Sequence, residues 1–266
     1  MNDLVSLEIA DAIATVTLTK PTMPPQFFAE IEEVFRGLSK DVRVRAVVVR
    51  SAAKGFSYGL DLPAAMTELG PHFAGGTAGA RMELLGLIRR YQGAFDAVAA
   101  CPVPVVAAVH GMCIGGGLDL AAACDIRLAS RDAVFSLRET RIAIVADLGS
   151  LQRLPRIIGQ GHLREMAFTG KDIGAERAAA IGLVNEVFDD AAAVHAGARR
   201  LAEEIARNAP LTVRGVKAVL EFGEGKTAAD GLAYVAAWNA AFLASEDLGE
   251  AMAAFMEKRA PRFSGR

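Results

Sequence analysis

The chemistry legible in this chain centres on three carboxylates and a run of glycines. Gly115, Gly116 and Gly117 stand between an apolar run, residues 103–109, and an Ala- and Leu-rich stretch, residues 118–124. The run, closed by His110 and Gly111, reads as a buried strand and the stretch as a short helix, so the glycines make the turn between them. Glycine there allows positive φ or close passage of the backbone past a ligand. The first N–H groups of a helix lack intrahelical partners and lie at the positive end of its dipole, where a developing oxyanion is stabilised. Asp119 falls three residues after Gly116, on the same side of the first turn. Either the glycines serve tight packing and Asp119 complements the dipole, or the pair does chemistry.

A second turn resembles the first. In Phe56-Ser57-Tyr58-Gly59-Leu60-Asp61 a glycine again precedes a helix start, with Asp61 placed to cap it. The N–H groups of Leu60 and Gly116 together would form an oxyanion hole. Two further acids invite attention. Glu139 lies in Arg138-Glu139-Thr140-Arg141, which on its own reads as a solvated ion-pair loop. Asp147 ends the apolar run 142–146. It is either the N-cap of a helix starting at 148 or a carboxyl in dry surroundings with a raised pKa.

The elements that must position these residues follow the chain. Residues 5–9 and 13–18 read as a hairpin turning at Ala10-Asp11, 27–39 as an amphipathic helix, 46–49 as a buried strand, and 62–69 as a helix. Residues 70–79 have the composition of a mobile flap, and 81–100 read as a long helix. Past the glycines come strands at 126–129 and 133–135, then a helix over 148–157 interrupted at Pro155. Short helices follow at 163–168 and 175–181, then a strand at 184–188. The pattern suggests an α/β core over residues 1–190. Residues 191–266 read as helices only, at 191–207, 211–222, 228–243 and 248–259. Their apolar faces exceed what a tail of this length can bury, so they should pack on the core or on another subunit.

Composition narrows the function classes. With 52% hydrophobic residues the 266-residue chain can bury a sizeable core. A net charge of −2 with no basic block gives no sign of nucleic acid as a partner. Cys101, Cys113 and Cys124 sit in apolar surroundings and read as reduced core residues, and the four histidines lack metal-site spacing, so no metal is expected. No apolar run is long enough to suggest a membrane span. The early acids and the lack of a basic region before an apolar core argue against a signal peptide, and Ser264-Gly265-Arg266 is not a peroxisomal signal. The expected compartment is the cytoplasm.

The segment KGFSYGLDL, followed some fifty residues later by PVVAAVHGMCIGGGLDLAAACDIRLAS, resembles the crotonase (enoyl-CoA hydratase/isomerase) superfamily. The likeness continues through AVFSLRET, LQRLPRIIG, AFTGKDIGAERAAAIGLVNEVF and EKRAPRF, nearly the whole chain. It implies a β-β-α spiral core and a helical C-terminal oligomerisation region that builds homotrimers, often stacked as hexamers. It also implies an acyl-CoA thioester substrate whose carbonyl is held by the N–H groups of Leu60 and Gly116. No separate cofactor is expected, because coenzyme A is part of the substrate. Acids at Asp119, Glu139 and Asp147 together are similar to the branch that converts 3,5-dienoyl-CoA to 2,4-dienoyl-CoA, a step of fatty-acid β-oxidation. Glu139 is then the base at C2, Asp147 the acid at C6, and Asp119 tunes Glu139. Hydration or another enoyl-CoA isomerisation, resting on Asp119 and Glu139, is the alternative; a non-catalytic binding role on the same fold is a third. Lys20, Ser57 and Lys258, the last from a neighbouring subunit, are the expected CoA contacts. The turn at residues 19–26 is shorter than the family pattern and lacks its Asn-Ala.

Overall fold

The computed structural model describes residues 4–74 and 76–266, the side chains of 73 and 74 aside. The hairpin pairs β1 (Val5–Ala10) with β2 (Ile13–Leu18), turning on Asp11 and Ala12, both at positive φ. Helix α1 (Pro25–Leu38) follows and buries Phe27, Phe28, Ile31, Val34, Phe35 and Leu38, the stripe that its sequence spacing sets on one face. Then come β3 (Ala46–Ser51), α2 (Leu62–Ala74), α3 (Ala78–Ala99), β4 (Val105–Val109), β5 (Met112–Ile114) and α4 (Gly116–Ala123). Next are β6 (Ile126–Ser130), β7 (Val134–Ser136), a 3-10 turn over Glu139–Ile142, α5 (Ser150–Thr169), β8 (Ile173–Gly174), α6 (Ala175–Ala180) and β9 (Glu186–Phe188). The chain closes with α7 (Ala191–Ala206), α8 (Pro210–Phe222), α9 (Ala228–Phe242) and α10 (Glu246–Glu257).

The main sheet has the order β1-β2-β3-β4-β6-β9, parallel except at the β1–β2 hairpin; β5, β7 and β8 form a smaller sheet. The parallel strands are continuous apolar runs because both faces are covered. Alternate residues divide between two cores. Val47, Val49, Val105, Ala107 and Val109 join the larger core, which includes residues of α1, α3 and α4. Ala46, Val48, Val106, Ala108 and Leu128 face the other way and meet Val194, Ala198 and Ala202 of α7. Helix α7 therefore covers one face of the sheet. Helices α8 to α10 lie beyond, with Val216, Leu220, Leu232, Phe242, Met252 and Phe255 exposed. No residue of α9 is buried.

Three sequence expectations are corrected. Residues 70–74 continue α2 and Ala78 begins α3, so the flap expected over 70–79 is largely helix; position 75 lies outside the described residues. Pro155 does not interrupt α5. The break falls at Gly159, whose φ of 74° and ψ of 162° are non-helical, because glycine adopts positive φ without steric cost. Where the sequence reads as a loop around Glu139, residues Glu139–Ile142 form a 3-10 turn closed by Ala143 in the left-handed region.

Candidate active site

The two glycine turns lie against each other. Ser57 is buried at 1% exposure, and its Oγ accepts the Gly59 N–H at 3.0 Å. Gly59 takes φ +82°, and a Cβ there would stand 2.7 Å from the Ile114 carbonyl oxygen, so only glycine fits. The shortened segment 19–26 buttresses this turn. Tyr58 N–H donates to Pro21 O at 2.7 Å, Met23 N–H to Gly59 O at 2.8 Å, and Asp61 N–H to Met23 O at 3.0 Å. These bonds skip Leu60, whose N–H has no hydrogen-bond partner among the described residues. Asp61 accepts Ala64 N–H at 3.1 Å, the helix cap expected of it.

In the second turn Gly115 adopts φ +52° and donates its N–H to Ser136 O at 3.0 Å. The Gly116 N–H, first in α4, likewise finds no acceptor among the described residues. A Cβ on Gly116 would stand 3.7 Å from both Gly59 Cα and Leu60 N, between the two turns. A Cβ on Gly117 would stand 2.8 Å from the Ser57 carbonyl oxygen. The two readings of the triplet thus divide by position: Gly117 permits close packing, and Gly116 faces the other free N–H. At the far end of α4, the buried guanidinium of Arg127 donates to the carbonyls of Ala121 (3.4 Å) and Cys124 (2.7 Å), balancing the negative end of the dipole.

Asp119 lies in the first turn of α4 and Glu139 beside Gly115, and the charge of Asp147 is felt at both. Asp119 is 1% exposed, and its Oδ1 accepts the Ser150 N–H, the first of α5, at 2.6 Å. Burial pushes its carboxyl up to about 6; the Ser150 hydrogen bond opposes the shift and the charge of Asp147 adds to it. Glu139 does not pair with its flanking arginines. Arg138 binds Asp172 instead, with Nε 3.0 Å from Oδ1, and Arg141 lies against Gly170. Glu139 Oε1 lies 3.1 Å from where a Cβ on Gly115 would stand, and its Oε2 is buried with no hydrogen-bond partner among the described residues. Burial first, then the charges of Asp119 and Asp147, push its pKa up to about 7. Such a carboxylate is unpaired and partly desolvated near neutral pH, which suits a general base.

Asp147 is half-buried, and burial raises its pKa. It does not cap α5. The N-cap is Gly149, at φ 120° with no side-chain bond, and the carboxylate that reaches the first N–H of the helix is Asp119. Its backbone is anchored by Gln92 of α3, whose Nε2 donates to the Asp147 carbonyl at 2.7 Å.

Among the expected CoA contacts, the Ser57 side chain is buried and accepts the Gly59 N–H, shaping that turn. Lys20 and Lys258 are exposed, Lys258 as the left-handed C-cap of α10. Sequence reasoning missed Gln92, which carries no signal inside a long helix. It also missed that the shortened turn supports Leu60 through Met23, because that pairing joins segments far apart in sequence. No group of three or more His, Cys, Asp or Glu arranged to hold a metal ion occurs among the described residues. No helix among them is long and apolar enough to cross a membrane.

Residues 8–266 match the family model described as enoyl-CoA hydratase/isomerase. The chain is 40% identical over 259 residues to the mitochondrial Delta(3,5)-Delta(2,4)-dienoyl-CoA isomerase of Dictyostelium discoideum, covering 94% of this chain and 87% of that protein. It is 42% identical over 239 residues to the peroxisomal Delta(3,5)-Delta(2,4)-dienoyl-CoA isomerase of Arabidopsis thaliana, covering 90% and 86%. The fold superposes on the crystal structure of an enoyl-CoA hydratase from Bacillus anthracis with a TM-score of 0.89 at 28% identity, covering 99% of this chain and all of that one. The relatives correct one expectation drawn from the sequence. They are named mitochondrial and peroxisomal, against the cytoplasmic compartment inferred from the chain termini.

Proposed function

The chain belongs to the enoyl-CoA hydratase/isomerase family, and from that premise we propose how its site isomerises 3,5-dienoyl-CoA to 2,4-dienoyl-CoA. Relatives at about 40% identity over most of the chain carry that activity in their names. The observation that carries the assignment of roles is the third carboxyl. Asp147 caps nothing, is partly desolvated, and shares its surroundings with Asp119 and Glu139. A hydratase needs two acids around one water; proton transfer between distant carbons needs a separate acid at the far end.

The thioester carbonyl oxygen sits between the N–H groups of Leu60 and Gly116. Glu139 takes the proton from C2. The C–H electron pair delocalises onto the adjacent carbonyl oxygen, whose developing charge the two N–H groups stabilise, and through C3=C4 and C5=C6 to C6; one such donor is worth about 3–4 kcal/mol. Asp147 then delivers a proton to C6, and the double bonds settle at C2=C3 and C4=C5. Glu139 ends protonated and Asp147 ionised, and one proton transferred back, directly or through solvent, restores the enzyme. Asp119 holds the start of α5 and keeps Glu139 basic by like-charge repulsion. Lys20 and, from a neighbouring protomer, Lys258 hold the CoA phosphates.

Mixing the protein with 3,5-dienoyl-CoA should bring the diene into conjugation with the thioester carbonyl, followed as a new absorbance band, while 2-enoyl-CoA should be hydrated far more slowly. Gly116→Val should lose this turnover with the fold retained, because its side chain fills the space beside Leu60 N and Met23 Sδ. Rapid hydration with no diene formation would leave a two-acid hydratase.

The exposed apolar faces of α8 to α10 support a homotrimer or a hexamer of stacked trimers. Light scattering at micromolar concentration should return three or six times the chain mass of 28.0 kDa; a monomer would contradict the assembly.

A further inference from the structure

Asp147 sits in an irregular segment between the left-handed Ala143 and the start of α5, with residues 141–145 exposed. No hydrogen bond from another residue's side chain reaches its carboxyl among the described residues, so its position is set through the main chain. Three restraints hold that main chain. Gln92 Nε2 donates to the Asp147 carbonyl at 2.7 Å. Arg153 Nη1 donates to the next carbonyl, Leu148, at 3.2 Å, while its Nη2 is fixed by Asp96 Oδ1 at 2.5 Å. Asp119 holds Ser150 N–H at 2.6 Å. Gly149, at φ +120°, a conformation that favours glycine, lies against the Arg153 guanidinium.

Gln92 and Asp96 are four residues apart and so lie on one face of α3. That face reaches two successive carbonyls, Asp147 directly through Gln92 and Leu148 through Arg153. Asp119 belongs to the proposed acid set, whereas Gln92 and Arg153 bond the main chain at Asp147 and Leu148, and Asp96 bonds Arg153. We propose that Gln92, seconded by the Asp96–Arg153 pair, is a positioning residue that sets the reach of the Asp147 carboxyl toward C6. This rests on Asp147 being the distal acid. Proton delivery needs hydrogen-bond reach, and misplacement of a catalytic group by about 1 Å can cost about 10²-fold in rate. Neither Leu60, Gly116 nor Glu139 is bound by Gln92, so removal of C2 protons should not feel its loss.

Gln92→Met keeps the length and bulk of the side chain but removes the donor. Isomerisation by this variant should fall about tenfold or more in kcat with KM little changed. Exchange of the C2 proton with solvent deuterium should stay within about twofold of wild type, and thermal unfolding should be little altered. Asp147→Asn, measured beside it, separates the two levels of the argument. Loss of isomerisation in Asp147→Asn with wild-type isomerisation in Gln92→Met would overturn the positioning role and leave the acid assignment intact. Wild-type isomerisation in Asp147→Asn would overturn both. If isomerisation and C2 exchange fell together in Gln92→Met, the residue would be serving general stability, and the positioning role would be overturned.

Discussion

Replacing Glu139 with Gln should remove both isomerisation and C2-proton exchange, by 10² to 10⁴-fold, the range expected for loss of a general base. Its carboxylate is the one with a buried oxygen that lacks any hydrogen-bond partner among the described residues, and it lies over Gly115 at the mouth of α4. The substitution keeps shape and removes basicity. In the wild type, kcat/KM should rise as pH passes through about 7, where Glu139 ionises in the free enzyme. The same shift gives a stability effect of opposite value to the protein. The folded-state pKa lies above the ordinary glutamate value of 4.5. Between pH 4.5 and about 7 the unfolded chain has released this proton while the folded one retains it, so the Glu139 contribution to stability declines as pH rises and levels off above about 7. Glu139→Gln lacks that decline. Its stability relative to wild type should rise between pH 4 and pH 8 by up to about 3 kcal/mol, read as a change in melting temperature, whatever constant cost the buried amide adds at both pH values. Undiminished C2 exchange, or a melting difference independent of pH, would remove Glu139 from the role of base.

Asp147→Asn should lower isomerisation by about 10²-fold or more while C2 exchange partly survives. Abstraction at C2 needs only Glu139 and the two N–H groups, and reprotonation at C2 regenerates starting thioester carrying solvent deuterium. What the variant cannot do is place a proton on C6. Asparagine matches aspartate in size and in capping ability, so an effect on helix α5 would leave the rate near wild type. The structure removes that competing explanation in advance, because the first N–H of α5 is bound by Asp119 and the N-cap is Gly149. Diene formation near the wild-type rate would eliminate the three-carboxyl mechanism and reduce the site to Asp119 and Glu139.

Local sequence determined a good deal of this protein. The apolar runs gave the parallel strands because strands covered on both faces read as continuous hydrophobic segments, and their period of two sorted residues such as Val47 and Val48 into opposite cores. The glycine turns were legible because positive φ and close approach demand glycine, as Gly59 and Gly115 bear out. Family likeness brought Leu60, Gly116 and the three acids together across the chain. The tertiary structure decided what local patterns left open. Glu139 lies between two arginines in sequence, yet Arg138 binds Asp172, 34 positions further on, and Arg141 lies against the Gly170 turn. Asp147 precedes a helix, yet the cap comes from Asp119, and the anchor of its backbone comes from Gln92 in another helix. The shortened turn at 19–26 departs from the family pattern, yet it supports Leu60 through Met23. The reason is the same in each case. Whether a polar group is solvated, paired or left free depends on which distant segment packs over it, and a charge's local neighbours in sequence do not fix that.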